Sequence, residues 1–264
     1  MSGFRHDLTQ RRHGAVALFR GGGRGRRCCA ALICMLASFC VLSSAIQADH
    51  GPSTYSAAAP SVVVVEPTWP GFERPGFGAP PGTAPAGSGV YFGTGLPDHY
   101  ILTAAHVVAR AVRVETVDGD GGRHEAEIVA IDGARDIAVL RSSLAGPPVM
   151  LRRAAPEVGL HACAIGNSFG LGLSFSCGVV SAVHRRDVGF NAIEDFVQTD
   201  AAVNPGASGG ALVDPQGRLI GLIDGIFTKE ADIDAGVNFA VSVPMILQSL
   251  DQLRQANPSI PQVQ

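Results

Sequence analysis

The chain has 264 residues, 46% of them hydrophobic and 16% charged, a globular composition that predicts a buried core in one large domain or two small ones. A formal net charge of −3 gives no electrostatic case for binding nucleic acid. The 33 glycines and 17 prolines, set among valine-rich runs, predict many short strands joined by turns.

The chain opens on a targeting pattern. In "RGRRCCAALICMLASFCVLSSAIQADH" arginines come first, then an apolar run from Cys28 to Ala45, then small residues. This is the layout of a secretory signal peptide, with cleavage after Ala45 or Ala48. An uncleaved anchor is the alternative, because the run is just long enough to cross a bilayer. Residues 1–48 are assigned to this segment, and the expected location is periplasmic or secreted, with a membrane role only if 28–45 stays attached. The residues after Arg11 and Arg12 do not make a twin-arginine signal, and Phe39 before Cys40 is not a lipoprotein context. Four of the six cysteines, Cys28, Cys29, Cys34 and Cys40, lie in this run, which explains them better than a metal site does. Cys163 and Cys177 remain for the mature chain. In an oxidising compartment a disulfide between them is one reading and two small buried thiols the other, and register cannot be read from sequence.

Residues 49–88 read as a flexible Pro- and Gly-rich lead: disordered from Asp49 to Pro60, one strand at Ser61–Val65, then a long irregular loop around Trp69. Trp69 reads as a hydrophobic anchor. Strands follow at Gly89–Phe92, Tyr100–Thr103, Ala111–Val117, His124–Ile131 and Ile137–Arg141. The stretch "LAGPPVMLRRAAPEVG" reads as a connector. A second group follows at Leu160–Ile165, Ser176–Val183, Asp195–Thr199, Gly210–Val213, Leu219–Ile226 and Gly236–Ser242. "VPMILQSLDQLRQANP" is the best helix signal: Pro244 suits the first turn, Ile246, Leu247 and Leu250 share a face, and Pro258 lies beyond the end. The pattern predicts an all-β fold of two six-stranded barrels, at about 60–143 and 157–243, a C-terminal helix over 244–256 and a tail over 257–264.

The segment "NPGASGG" places Ser208 among glycines. "GASGG" matches the G-x-S-x-G nucleophile elbow of α/β-hydrolases, but that fold needs a histidine after the serine, and none follows Ser208. A base has to come earlier. His106 in "YILTAAHVV" has the best context among His50, His99, His106, His124, His161 and His184, because it follows an apolar strand and sits at a barrel edge. A carboxylate must orient the ring. Asp136 in "DGARDIAVLR" precedes a buried strand, and Asp132 is its rival. "HAC" at His161–Cys163 is at most half a metal site, so neither metal nor cofactor is expected. His184, Arg185 and Arg186 read as a solvated turn, and Asp200 as a turn cap.

At these residues the sequence resembles a family. "GSGVYF…YILTAAHVV", "DIAVLR", "AIGNSFGLGLSFSCGVVSA", "QTDAAVNPGASGGALVD" and "GVNFAVSVP" are similar, in order, to the motifs of the HtrA/Deg branch of trypsin-like serine proteases, over about Pro60 to Leu253. The resemblance implies the double β-barrel with the site between barrels, His106 as general base, Asp136 as its orienting carboxylate and Ser208 as nucleophile. The backbone N–H groups of Gly206 and Ser208, with Ala207 between them, would form the oxyanion hole. Ala207 stands where the family usually has Asn, and Ser168 and Ala211 replace usual prolines. The family commonly carries PDZ domains after the protease domain; this sequence stops at Gln264, so PDZ-mediated sensing is expected to be absent from this chain. Polypeptide substrates are implied, and a homo-oligomer, a trimer in relatives, stays open. Trypsins have Asp six residues before the serine; Ala202 stands here, which argues against Lys or Arg selection. Ile226, Phe227, Val237, Asn238, Phe239 and Ala240 are expected to supply the other pocket walls. The loop Arg185–Glu194 occupies a sensor position in relatives. A catalytically silent binding or chaperone module is the alternative function.

Overall fold

The computed structural model describes residues 50–71, 86–95, 98–226 and 236–263. The first barrel closes in the order β1-β2-β3-β6-β5-β4, from β1 (Val62–Thr68), β2 (Gly87–Gly95), β3 (Asp98–Ala104), β4 (Arg113–Val117), β5 (Arg123–Asp132) and β6 (Ile137–Ser142). The second closes as β10-β11-β12-β9-β8-β7, from β7 (His161–Gly166), β8 (Ser174–Arg185), β9 (Phe196–Thr199), β10 (Ala211–Val213), β11 (Leu219–Ile226) and β12 (Asn238–Ser242). Strand pairing within both barrels is antiparallel throughout. Each strand expected from the valine- and isoleucine-rich runs is present, with ends shifted by a few residues. Closure leaves neither barrel an open sheet edge.

Alternation along the strands builds two kinds of core. Ile101 and Leu140 pack inside the first barrel with Val65 and Val107. Their chain neighbours Leu102 and Val139 face the other way and join Ile165, Leu222 and Val241 of the second barrel in one shared cluster. Successive side chains of a strand point to opposite faces, so one run of apolar residues serves both the barrel and the junction. The short helix α2 (Ala105–Val108) caps the first barrel.

The helix α1 (His50–Ala58) corrects the expectation of a disordered lead. Its sequence has Gly51, Pro52 and two serines, and no isolated peptide of this kind would hold a helix. Docking supplies the stability. Thr54 and Ala58 are fully buried, Thr54 Oγ1 donates to Pro215 O at 2.8 Å, and the Tyr55 ring packs edge-on against Phe175 at 5.4 Å. Trp69 is an anchor: its Nε1 donates to Val107 O at 3.2 Å, and the Arg110 guanidinium lies 5.6 Å above its ring.

The terminal helix α3 (Val243–Ala256) begins at an N-cap that the sequence analysis did not name, where Ser242 Oγ accepts from Met245 N, and Pro244 sits in the first turn as expected. Ile246 and Leu250 are buried on the junction cluster. Polar contacts fasten the same helix to the first barrel: Ser249 Oγ donates to Asp132 Oδ2 at 2.7 Å, and Arg135 Nη1 to Gln252 Oε1 at 2.9 Å. Asp132 also accepts from Arg135 Nη1 at 2.9 Å, which occupies it as a turn clamp.

Cys163 and Cys177 are directly opposite in the β7–β8 register and are joined by a disulfide. Of the two readings open at the sequence level, this is the bonded one. No helix among the described residues is long and apolar enough to cross a membrane, and the segment 28–45 lies outside the described residues.

Candidate active site

The first barrel presents His106 and Asp136. His106 lies in the turn of helix directly after β3, half exposed on the solvent side, whereas Asp136 is buried just before β6. Asp136 takes a left-handed backbone conformation, φ 55°, which Asp tolerates better than most residues. That turn lets one residue accept three hydrogen bonds from the start of α2: its carbonyl from Ala105 N at 3.0 Å, its Oδ1 from His106 N at 2.7 Å, and its Oδ2 from His106 Nδ1 at 2.5 Å. The short Nδ1 contact fixes the ring and leaves Nε2 for chemistry. Burial alone would lower the imidazole pKa. The hydrogen bond and charge of Asp136, with a further contribution from Asp224, outweigh it and hold His106 above the ordinary histidine value. Asp136, not Asp132, is therefore the carboxylate that meets His106.

The second barrel presents Ser208 on the turn before β10. Gly206 has φ +98° and Gly209 φ +81°, both in the left-handed region that favours glycine. Space forbids any other residue at either position. A Cβ on Gly206 would lie 2.2 Å from Asn167 O, and one on Gly209 2.2 Å from Ser88 O. The loop is stitched to both barrels, because Ser88 N donates to Ser208 O at 2.9 Å and Gly209 N to Ile223 O at 2.7 Å. Pro205 O accepts from Phe169 N at 2.6 Å. In a planar trans peptide the carbonyl and the next N–H point oppositely, so this bond turns the Gly206 N–H out of that contact. Among the described residues neither Gly206 N nor Ser208 N donates to a backbone carbonyl, while the intervening Ala207 N is spent on Asn204 O at 2.9 Å. Two unspent N–H groups around one spent one make a site for an anionic oxygen.

The Ser208 hydroxyl donates to Asp224 O at 3.0 Å, and among the described residues it makes no hydrogen bond to His106. A hydrogen bond to His106 Nε2 would require rotation of the hydroxyl away from that carbonyl. Such hydrogen bonds are often unformed before substrate arrives.

Three residues of the site were not found in the sequence. Ser88 Oγ donates to Gly206 O at 2.8 Å and accepts from Asn167 N at 2.8 Å, which ties the first barrel to both loops around the anion site. Asn167 Oδ1 in turn accepts from Gly172 N at 2.7 Å. Asp224 lies buried on β11 between these parts. Replacing Ser88 by alanine is expected to lower stability by about 1–3 kcal/mol, because two buried partners lose their bonds. It should also lower kcat by about 10- to 100-fold through displacement of the 205–208 turn. A urea titration and steady-state kinetics on one preparation check both.

The expected pocket residues divide. Asn238 and Ala240 lie on the face of β12 that packs on the serine loop: Asn238 Nδ2 donates to Ala201 O at 2.8 Å, and Ala240 clusters with Ala201, Val203 and Ala207. Phe239 is on the opposite face, with Phe196 at 5.7 Å and Phe190 at 5.5 Å between ring centroids. It is corrected from a pocket wall to a core residue that supports the 186–195 loop. Ala202 is exposed and its carbonyl accepts from Ser176 Oγ at 2.5 Å. Val237 is half-buried before β12, Ile226 ends β11, and Phe227 lies outside the described residues. Asp200 fastens the start of the serine loop by accepting from Val179 N at 2.6 Å.

Two antiparallel barrels with a histidine–carboxylate pair on one and a serine beside unspent N–H groups on the other define the architecture of the chymotrypsin-like hydrolases. Residues 87–222 match the family of the trypsin-like peptidase domain, and the chain belongs to that family. It is 36% identical over 163 residues to a probable periplasmic serine endoprotease DegP-like of Buchnera aphidicola subsp. Baizongia pistaciae, covering 61% of this chain and 34% of the relative. To the periplasmic serine endoprotease DegP of Escherichia coli K12 it is 36% identical over 157 residues, covering 58% and 33%. The solved HtrA-type protease AlgW with tripeptide superposes with a TM-score of 0.68 at 35% identity, covering 78% of this chain and 64% of that one. These likenesses place the chain in the HtrA branch. It spans about one third of the length of the curated relatives it matches.

Proposed function

We propose that the chain is a serine endopeptidase acting on unfolded or damaged exported proteins. The observation that carries this reading is the buried Asp136 bonded to His106 Nδ1, set beside a glycine-flanked serine with unspent N–H groups. His106 Nε2 takes the Ser208 proton as Oγ attacks the peptide carbonyl. The resulting oxyanion is received by the N–H groups of Gly206 and Ser208, and Asp136 stabilises the imidazolium. His106 then gives the proton to the leaving amine, and water repeats the cycle on the acyl-enzyme. Export is supported by the disulfide, which persists in oxidising compartments, and by the periplasmic names of the relatives.

The test is incubation of the chain with unfolded casein beside Ser208→Ala, together with labelling by a fluorophosphonate. Cleavage and labelling that both need Ser208 and His106 support the reading. One observation favours the second reading, a silent binding module: the serine hydroxyl is bonded to Asp224 O rather than to His106. Labelling of neither protein establishes that module.

The specificity pocket is proposed to take small or medium aliphatic residues. Ala202 brings no carboxylate to it, and Ala240 and the fully buried Asn238 line the packed face behind the serine loop. Sequencing the fragments of a denatured protein should show cuts after Ala, Val or Ile. Dominant cuts after Lys or Arg would overturn the proposal.

A further inference from the structure

The triad as proposed leaves one buried carboxyl group without a role. Asp224 stands in the apolar run "LIGLIDGI" of β11 and is 6% exposed. One carboxylate oxygen each from Asp136 and Asp224 and one ring nitrogen of His106 lie within 4.8 Å of one another. Two carboxyl groups at this distance, both buried, do not both ionise readily: the second charge lacks solvent and meets the first. The groups facing Asp224 are few. Asp136 approaches from the turn before β6 and His106 from α2. Arg135, the nearest cation in sequence, is turned away to Asp132, Gln252 and the Met245 sulfur. Among the described residues of the second barrel, the group that meets its carboxylate is the neutral amide of Asn191, whose Nδ2 donates to Asp224 Oδ2 at 2.6 Å.

We propose that Asp224 is a positioning residue of the triad, a carboxylic acid whose proton is shared with the Asp136 carboxylate and which is itself held by Asn191 of the 186–195 loop. It rests on the endopeptidase reading only for its consequence in catalysis. The protonated oxygen donates to Asp136, so Asp136 keeps its charge for His106 and is fixed on the side away from the ring. The loop that supplies Asn191 is built to hold its shape. Glu194 accepts from the N–H groups of Val188, Gly189, Phe190 and Asn191 at 2.6–3.0 Å, and Ile193 N donates to Ala134 O at 2.9 Å, two residues from Asp136. A change in this loop therefore reaches the triad through Asn191 and Asp224.

Burial, reinforced by the charge and hydrogen bond of Asp136, pushes the Asp224 carboxyl up to about 8. The sign follows. Below pH 8 the group is neutral. Above it the proton leaves to solvent, a second negative charge appears beside Asp136 and His106, and the donor to Asp136 is lost. The new charge favours the imidazolium and works against the neutral base.

The deciding measurement is the pH titration of the His106 ring resonances in isotope-labelled full chain. Wild type is expected to show two steps, the ring's own and a second near pH 8. Asp224→Asn should keep the first and lose the second. Asn191→Ala should move the second to higher pH, because its N–H favours the ionised form. In the same samples kcat/KM of wild type should fall at least about threefold between pH 8 and 9.5, and that fall should be absent in Asp224→Asn, because ionisation removes the donor that holds Asp136 in place and a small misplacement of the base is costly. A single step in wild type, or a second step that survives Asp224→Asn, overturns the proposal. If Asp224→Asn does not fold, the wild-type and Asn191→Ala titrations decide it alone. If no peptide is cut by any variant, the endopeptidase reading fails while the resonances still decide the role of Asp224.

Discussion

Ser208→Ala is expected to reduce kcat/KM by on the order of 10⁶ while leaving the fold intact. The hydroxyl is the proposed nucleophile, and no second serine, threonine or cysteine stands in its glycine turn. Its structural role is small: one hydrogen bond to Asp224 O, on a half-buried side chain. Losing that bond should shift unfolding by no more than about 1.5 kcal/mol. The measurement is cleavage of unfolded casein at matched concentration, with a thermal melt of both proteins. A variant that kept more than a hundredth of the activity would show that another group is the nucleophile.

The second large effect is expected from Asp136→Asn, a loss of about 10⁴ in kcat at neutral pH. An amide keeps the shape and can still accept from His106 N through its oxygen. It cannot both do so and accept from Nδ1, because the other amide atom is a donor. The ring is then driven to the tautomer that carries its proton on Nε2, where it cannot take one from Ser208. The charge that holds His106 above the ordinary histidine value disappears as well, so the acid limb of the pH profile should move to lower pH. A profile of kcat/KM for the two proteins reads both effects. An unchanged acid limb would mean that Asp136 does not set the protonation of His106.

Much of this could be read from the chain before any coordinate. The barrels announce themselves through apolar runs of four to eight residues separated by turn residues, and the missing histidine downstream of Ser208 puts the base before it, while the choice of His106 and Asp136 comes from the family resemblance. Phe239 is equally legible: neighbours on a strand face opposite ways, so residues 237–240 cannot all line one wall. The rest was hidden by distance. Ser88 acts on Gly206, 118 residues away, and on Asn167, 79 residues away. In the sequence it is one more serine between glycines. Asp224 reads as an odd polar residue in a buried strand until the other barrel is placed against it. The helix His50–Ala58 owes its existence to the surface on which it docks, which no local propensity reports.

The terminal helix has a mechanical consequence. It leaves the second barrel directly from β12, the strand that backs the serine loop, and crosses to grip the turn of Asp132 and Arg135 in the first. The residue after that turn is Asp136. A load applied along α3 is thus delivered at once to the two halves of the cleft, at one end through covalent backbone and at the other through Ser249 and Gln252. The helix acts as a tie-rod between the barrel that carries Ser208 and the barrel that carries His106 and Asp136, in parallel with the apolar cluster the two share.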